Sequence, residues 1–362
     1  MGLWMGVFAF SLVLTIIALL YLVRAFHRFY FLKELGENKK ALSYFLSLLP
    51  VVGLLVFTFY KPVMGAIIIV HLLVFWLLAD GLGKLVKRKG KVYWQGILAI
   101  ASCSLYLAIG WHFAHHVVET RYEVKTEKHL SAPLRLVLLA DSHLGSTFDG
   151  EGFARHLQKV QDSEPDLVVM VGDFVDDDST RRDMEISCKA LGELKTTYGV
   201  YFVFGNHDRG YGRSRDFNAD DLVTCLKENG ITVLEDEMLP LTETVSLLGR
   251  KDRYDFSRAS MEELMEGVGE NQFVICLDHQ PGDYKAQEEA KVDLVLSGHT
   301  HGGQMVPIGL IGEIFGSNDK TYGMEKRGDT TFIVTSGISD WAIPFKTGTV
   351  AEYVVVDIEG EA

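Results

Sequence analysis

Cysteine is scarce in this chain of 362 residues. There are four, Cys103, Cys188, Cys225 and Cys276, and no two stand in a CxxC or other paired spacing. That spacing excludes a disulfide framework or a thiolate metal site as the organising element, and leaves free thiols. Positive charge is lacking over most of the chain. After residue 117, 24 Lys/Arg face 45 Asp/Glu, a balance of −21, whereas the first 117 residues hold 11 against 3, a balance of +8, giving the net −13. An acidic surface of this size excludes nucleic acid as the default partner. It suits a domain that holds cations or stays off an anionic membrane.

What the first part lacks is charge within its apolar runs. Gly2–Val23 has none, and about 20 such residues cross a bilayer. Ala41–Tyr60, Pro62–Ala79 and Trp94–Phe113 are three further runs. No basic segment precedes the first run, which is also too long for a signal peptide. Any one run alone would pass as a buried core helix, but four in succession predict a membrane anchor over residues 1–117, with transmembrane helices at 2–23, 41–60, 62–79 and 94–113. Arg24, Arg28, Lys33, Lys39 and Lys40 lie between the first two runs, and Lys84, Lys87, Arg88, Lys89 and Lys91 between the last two. Basic loops stay cytoplasmic. The chain is therefore expected to be a multi-pass cell-membrane protein with everything after the fourth run extracytoplasmic, although Arg121, Lys125 and Lys128 fall on that outer side. His71, alone in the third run, reads as a neutral imidazole bonded to a neighbouring helix. His112, His115 and His116 read as interfacial. No GxxxG pair, repeated half or charged relay points to a transporter.

Residues 118–132 read as a linker, and a soluble domain is expected over 133–362. Its apolar runs share one feature: each stops on potential ligands. LRLVLLADSHLG ends in Asp141 and His143, DLVVMVGDFVDDD in Asp173 and Asp176, YGVYFVFGNHD in Asn206, His207 and Asp208, FVICLDHQP in Asp278 and His279, and VDLVLSGHTHGG in His299 and His301. Helical segments at Gly152–Ser163 and Thr180–Leu194 separate the first three. Alternating strands and helices predict βαβ units with strands buried on both faces. In such sheets ligands bind beyond the carboxyl ends of the strands, so Asp141, His143, Asp173, Asn206, His279, His299 and His301 can converge. These oxygen and nitrogen donors suit Mn, Fe or Zn. Seven exceed one tetrahedral zinc site and match two divalent metal ions sharing a bridging carboxylate, about 3.5–4 Å apart. In GHTHGG an extended HxH spacing lets one histidine reach each metal, and the glycines bend the backbone.

The motifs D-x-H, G-D-x-x-D, G-N-H-D, a single histidine after a strand, and G-H-x-H occur in that order over roughly residues 133–357. The series resembles the calcineurin-like metallophosphoesterase superfamily, and the trailing GGQ with the apolar runs resembles its membrane-anchored bacterial branch. The resemblance implies an α/β fold, a four-layer αββα sandwich, here preceded by the all-α membrane domain. It implies Asp141, His143 and His301 as ligands of one metal, Asn206, His279 and His299 of the other, and Asp173 as the bridge. His207 corresponds to the catalytic histidine, with Asp208 orienting it and Asp176 holding a ligand's other nitrogen.

The implied activity is hydrolysis of a phosphoester or pyrophosphate by water that metal coordination activates. The expected substrate is phosphorylated and lipid-linked or confined to the envelope, with the lipid bilayer as the other partner. Two other readings remain: a pyrophosphatase of a nucleotide-linked lipid precursor, and a non-catalytic membrane sensor of metal or phosphate. Arg209, Arg213 and Arg215 could grip phosphate but read better as a solvated loop. The resemblance implies an arginine near the place where this chain has Lys346, and that departure sets aside an inherited phosphate-binding role. Trp341, Pro344 and Phe345 could form an apolar lip, or pack on the sheet.

Overall fold

A computed structural model describes residues 2–86, 92–212, 215–306 and 309–361, with side chains from residue 12 onward except at 310 and 311. Lys87, Arg88, Lys89, Lys91 and Arg213 lie outside the described residues. The chain divides into two compact units, Met1–Ile109 and Gly110–Ala362.

The first unit contains helices α1 (Gly2–His27), α2 (Tyr30–Asn38), α3 (Lys40–Tyr60) and α4 (Pro62–Val86), and most of α5 (Trp94–His115). Helices α3, α4 and α5 are long and apolar enough to cross a membrane. Leu12–His27 and α2, bent 76° from each other, make a fourth candidate only if they count as one span. The first half of the expected span Gly2–Val23, up to residue 11, lies outside the described side chains.

The expectation of spans without charge is also corrected. Helix α4 runs past Ala79 to Val86 and so includes Asp80, which pairs with Arg28 at 2.7 Å. The Tyr21 and Tyr93 hydroxyls donate to the same carboxylate, and Trp76 Nε1 donates to Tyr93 at 2.8 Å. An ionisable group at this depth requires such partners. His71 is satisfied by its own helix, 2.8 Å from the Ile67 carbonyl, rather than by a neighbouring one.

In the second unit, sheet A has the order β1 (Val118–His129), β12 (Glu352–Glu361), β2 (Leu134–Leu139), β3 (Leu167–Val171), β4 (Val200–Val203), β5 (Thr232–Val233). Sheet B has the order β10 (Gly323–Arg327), β11 (Thr330–Val334), β9 (Leu294–Ser297), β8 (Phe273–Leu277), β7 (Val245–Gly249), β6 (Glu237–Pro240). Side chains alternate across each strand. Leu136 and Leu138 of β2 share a core with Ile275 and Leu277 of β8, so the two sheets face each other there. Val137 and Leu139 point the other way, onto α6 (Gly150–Asp162), α7 (Arg181–Gly192) and α8 (Ala219–Glu228). Val274 and Cys276 point outward onto α9 (Met261–Leu264) and α10 (Tyr284–Glu289). Helix, sheet, sheet and helix make four layers. Each fully buried Leu or Val contributes about 1.5–3 kcal/mol.

The predicted linker is largely a strand. β1 runs parallel to β12, from Val118 opposite Glu352 to Lys125 opposite Glu359. Its side chains alternate between half-buried and exposed, as an edge strand allows. Strands β2, β3 and β4 are mutually parallel, as are β7, β8, β9 and β11. The loops after β2, β3, β4, β8, β9 and β11 therefore leave the carboxyl ends of the two sheets, and they carry the predicted ligands.

Candidate metal centre

Three groups of possible ligand atoms form at these carboxyl ends: Asp141, His143 and His301; Asp173, His279 and His299; and His143, Asp176 and His207, with all atoms in a group within 4.8 Å of one another. Asp173 Oδ2 lies between the first two groups, 3.6 Å from His143 Nε2 and 3.1 Å from His279 Nε2. Both nitrogens are buried and make no hydrogen bond. Their other ring nitrogens are held: His279 Nδ1 lies 2.8 Å from the Val171 carbonyl, and His143 Nδ1 3.2 Å from Asp176 Oδ2. Orienting one imidazole nitrogen while presenting the other is how proteins hold metal-binding histidines. His301 Nδ1 similarly faces the Ser339 carbonyl at 3.3 Å. Buried imidazoles left unpaired around a carboxylate fit a cation.

The backbone is shaped for this convergence. Asp141, His143, Asp173, His299 and His301 all have positive φ, between 36° and 71°. Each such residue costs on the order of 1–3 kcal/mol and persists only where its surroundings impose it. Here the surroundings are hydrogen bonds between loops: Asp141 N to Gly172 O and His143 N to Asp173 O, each 3.0 Å, and His299 N to the Asp141 carboxylate at 2.9 Å. Gly205 packs against the same loop. A Cβ on it would lie 2.3 Å from Asp173 Oδ1.

Burial and mutual charge set the protonation of the group. Burial pushes Asp141 up to about 6, reinforced by the Asp173 charge against His279 and His143. Burial would also raise Asp173, but the facing His279 and His143 hold it well below the usual carboxylate range. Burial would lower His279, yet Asp173 and Asp141 drive it up to about 10. His299 is pushed down to about 3 by burial, then by His279. A proton on His279 thus stands beside Asp173, where a bound cation would replace it.

His207 is almost buried, and its Nδ1 lies 3.1 Å from Asp176 Oδ1. Burial alone would lower its pKa, but Asp176 and then Asp173 raise it. The orienting carboxylate is therefore Asp176 rather than Asp208. Asp208 accepts four backbone N–H groups, from Asp173, Phe174, Val175 and Gly205, at 2.7–3.1 Å. It pins the β3 and β4 loops together and faces no imidazole in that role. Asn206 hydrogen-bonds Tyr211 Oη at 2.8 Å and accepts from Gln280 Nε2 at 3.2 Å.

A family model described as calcineurin-like phosphoesterase matches residues 134–303. The second unit of this chain belongs to that family. An uncharacterized metallophosphoesterase of Helicobacter pylori is 30% identical over 223 residues, covering 60% of this chain and 57% of its own length. A bovine (Bos taurus) transmembrane protein with metallophosphoesterase domain is 31% identical over 237 residues, covering 60% of this chain and 51% of its own. The match thus spans little more than half of these relatives. A Danio rerio dimetal phosphatase structure is similar at a TM-score of 0.39, with 10% identity over 56% of this chain and 86% of its own. Calcineurin-like phosphoesterases are hydrolases of phosphoester bonds that use divalent metals.

Around this candidate metal centre the two described arginines of the 209–215 loop are engaged elsewhere. Arg209 pairs with Glu235 and lies over the Phe204 ring, and Arg215 donates to the Asp208 carbonyl at 2.9 Å. Lys346 is fully buried, with Nζ 2.6 Å from the Ser336 carbonyl and 3.2 Å from Asp340 Oδ1. That removes it from substrate. Asp340 Oδ1 in turn lies 3.8 Å from His301 Nδ1. Of the expected lip, Trp341 is exposed and Phe345 is buried. Trp341 and Tyr211 flank the His207 ring at 5.1 and 5.0 Å. Sequence reading missed Asp340, Tyr211 and Gln280. The adjacency of Gln280 to His279, and the isolated SD–K spacing after β11, were the available signals.

Proposed function

We propose that the second unit hydrolyses phosphate esters at a two-metal centre. The observation that carries this reading is Asp173 Oδ2 standing between two buried, unpaired imidazole nitrogens contributed by different sheets. Asp141, His143 and His301 would hold one divalent ion and His279 and His299 the other, with Asp173 shared and Asn206 supplying a further oxygen if Gln280 gives it up. Two bound divalent ions supply Lewis-acid polarisation of phosphoryl oxygens and a lowered pKa for water. The chain's own groups do the rest. Asp176 holds His207 by Nδ1 and favours its charged form, which leaves Nε2 to stabilise phosphoryl charge or to protonate the leaving oxygen. Tyr211 and Trp341 wall the approach to that nitrogen. An apolar cavity of about 320 Å³ lies against the same turn, lined by Gly302, Gly303, Met305, Val306, Tyr322 and Thr349 among others. It supports a substrate with an apolar portion, such as a lipid-linked phosphate.

The membrane-crossing helices and the bovine relative associate the chain with a membrane. We place the catalytic unit on the extracytoplasmic side. That placement depends only on α3, α4 and α5 with the basic residues at 24–40 and 84–91, and so is independent of how α1 is counted. The test is hydrolysis of an aryl phosphomonoester, an aryl phosphodiester and a lipid phosphate by the detergent-solubilised chain, with Mn, Zn, Fe or Ca in turn. Turnover that disappears in Asp173→Asn and falls at least about 100-fold in His207→Ala is expected. No turnover of any ester with any metal would favour a sensor. Turnover of soluble esters without lipid phosphates would remove the lipid substrate alone.

A further inference from the structure

The chain segment that follows the ligand histidines is apolar in composition, and three of its described apolar side chains are exposed. Residues 305–315 read MVPIGLIGEIF, with one charged residue. Val306 is 57% exposed, Ile314 72% and Phe315 81%, whereas Met305 is buried; Trp341, on a neighbouring loop, is 45% exposed. The one charge is occupied: the Glu313 carboxylate accepts from Thr321 N at 2.6 Å. The segment is also fastened to the metal centre. Thr300, between the two ligand histidines, donates through Oγ1 to the Thr321 carbonyl at 2.6 Å, and Thr321 Oγ1 donates to the Gly309 carbonyl at 2.9 Å. Gly303 and Gly309 pack backbone to backbone, since a Cβ on Gly303 would fall 2.0 Å from Gly309 Cα. Gln304 Nε2 ties Trp341 in through its carbonyl at 2.8 Å. The short helix α11 (Gly309–Ile314) within this segment cannot span a bilayer.

We propose that Val306, Ile314, Phe315 and Trp341 form a bilayer-contact element that seats the rim of the metal centre at the lipid–water interface. An apolar patch of this kind marks a surface that something covers. The bilayer is the occupant that the chain itself supplies. α5, one of the membrane-crossing helices, ends at His115 and β1 begins at Val118, so two residues separate them. The contact is apolar rather than electrostatic, because the soluble unit is acidic and the segment carries no basic residue.

The test uses the full-length chain in zwitterionic phosphatidylcholine nanodiscs. Phe315→Cys carries an environment-sensitive fluorophore, Ile314→Cys is a second reporter should the first fold poorly, and Lys227→Cys, exposed at the end of α8, is the reference. Labelled wild type gives the background of the four native cysteines. Spin-labelled phosphatidylcholine should quench residues 314 and 315 at least about threefold more than 227, with the difference unchanged at high salt. Equal quenching at 315 and 227 would overturn the proposal, as would a difference abolished by salt. So would a 315 fluorophore shielded from lipid and aqueous quenchers alike, which would indicate a protein cover. No turnover is read, so the outcome is separable from the hydrolase assignment.

Discussion

Lys346 offers the sharpest test of how the centre is braced. It has no exposed surface, and its ammonium rests 2.6 Å from the Ser336 carbonyl and 3.2 Å from Asp340, which is itself 1% exposed. Lys346→Met keeps the volume and removes the charge, stranding the Asp340 carboxylate in the interior. Breaking one side of a buried pair costs about 3–5 kcal/mol. For a unit of this size each kcal/mol moves the midpoint by roughly 2–4 °C, so the apparent Tm should fall by about 10 °C. Asp340→Leu alone strands the ammonium and should cost a similar amount. The double variant Asp340→Leu/Lys346→Met removes both charges and leaves only the Ser336 carbonyl without its donor, worth about 1–3 kcal/mol. It should therefore be more stable than either single variant, with a coupling energy of about 2–3 kcal/mol or more. Tryptophan fluorescence during a thermal ramp, followed through Trp341 and Trp111, measures this. A Lys346→Met loss under 2 °C, or a double variant as unstable as the two singles summed, would refute the buried pair and its support of His301 (thresholds about one-fifth of the expected shift).

Three further outcomes follow from the same geometry. Gly205→Ala places a methyl group 2.3 Å from Asp173 Oδ1 and 2.4 Å from Asp173 N, so the β3 loop backbone must move together with the carboxylate, and phosphoester hydrolysis should drop on the order of 100-fold with an accompanying loss of stability. Asp176 holds the His207 pKa above its ordinary value; a protonated His207 is lost as pH rises through that folded pKa, so Asp176→Asn should move the alkaline limb of the pH–rate profile to lower pH, and an unmoved limb would remove His207 as the acid. His156 is driven down to about 4 by burial, then by Lys159. Its unfolded form binds a proton below about 6.5, so stability is complete above that value and is lost as pH falls from 6.5 toward 4. Between pH 7 and 5 the wild type should lose about 1 kcal/mol more than His156→Leu in denaturant unfolding, the full linkage being reduced because the ring is partly solvated.

The ligand-bearing strands were legible because they are buried on both faces, so that runs such as LRLVLL and DLVVMV stand out as continuous apolar blocks ended by Asp or His. β1 was not legible as a strand. It lies at a sheet edge and alternates charged with apolar residues, as in ETRYEVKTEK, which gives it the composition of a linker. Asp176 faces a ligand's other nitrogen as expected and also takes the role expected of Asp208, for a related reason. Asp208 adjoins His207 in sequence, yet the GNHD turn directs its carboxylate back onto the backbone of the β3 loop, and the residue that reaches the imidazole comes from 31 positions upstream. The burial of Lys346 was not legible, because composition carries no information about a carboxylate six residues away folding over it. Asp80 escaped because the apolar run was ended at Ala79, while the helix continues to Val86.

The central claim is that two cations share Asp173. Crystals of the full-length chain grown with Mn and measured at the manganese absorption edge test it most directly. Two anomalous peaks about 3.5–4 Å apart are expected, one beside Asp141, His143 and His301, the other beside His279 and His299, with the Asp173 carboxylate between them. A single peak, or peaks that do not touch Asp173, would contradict it.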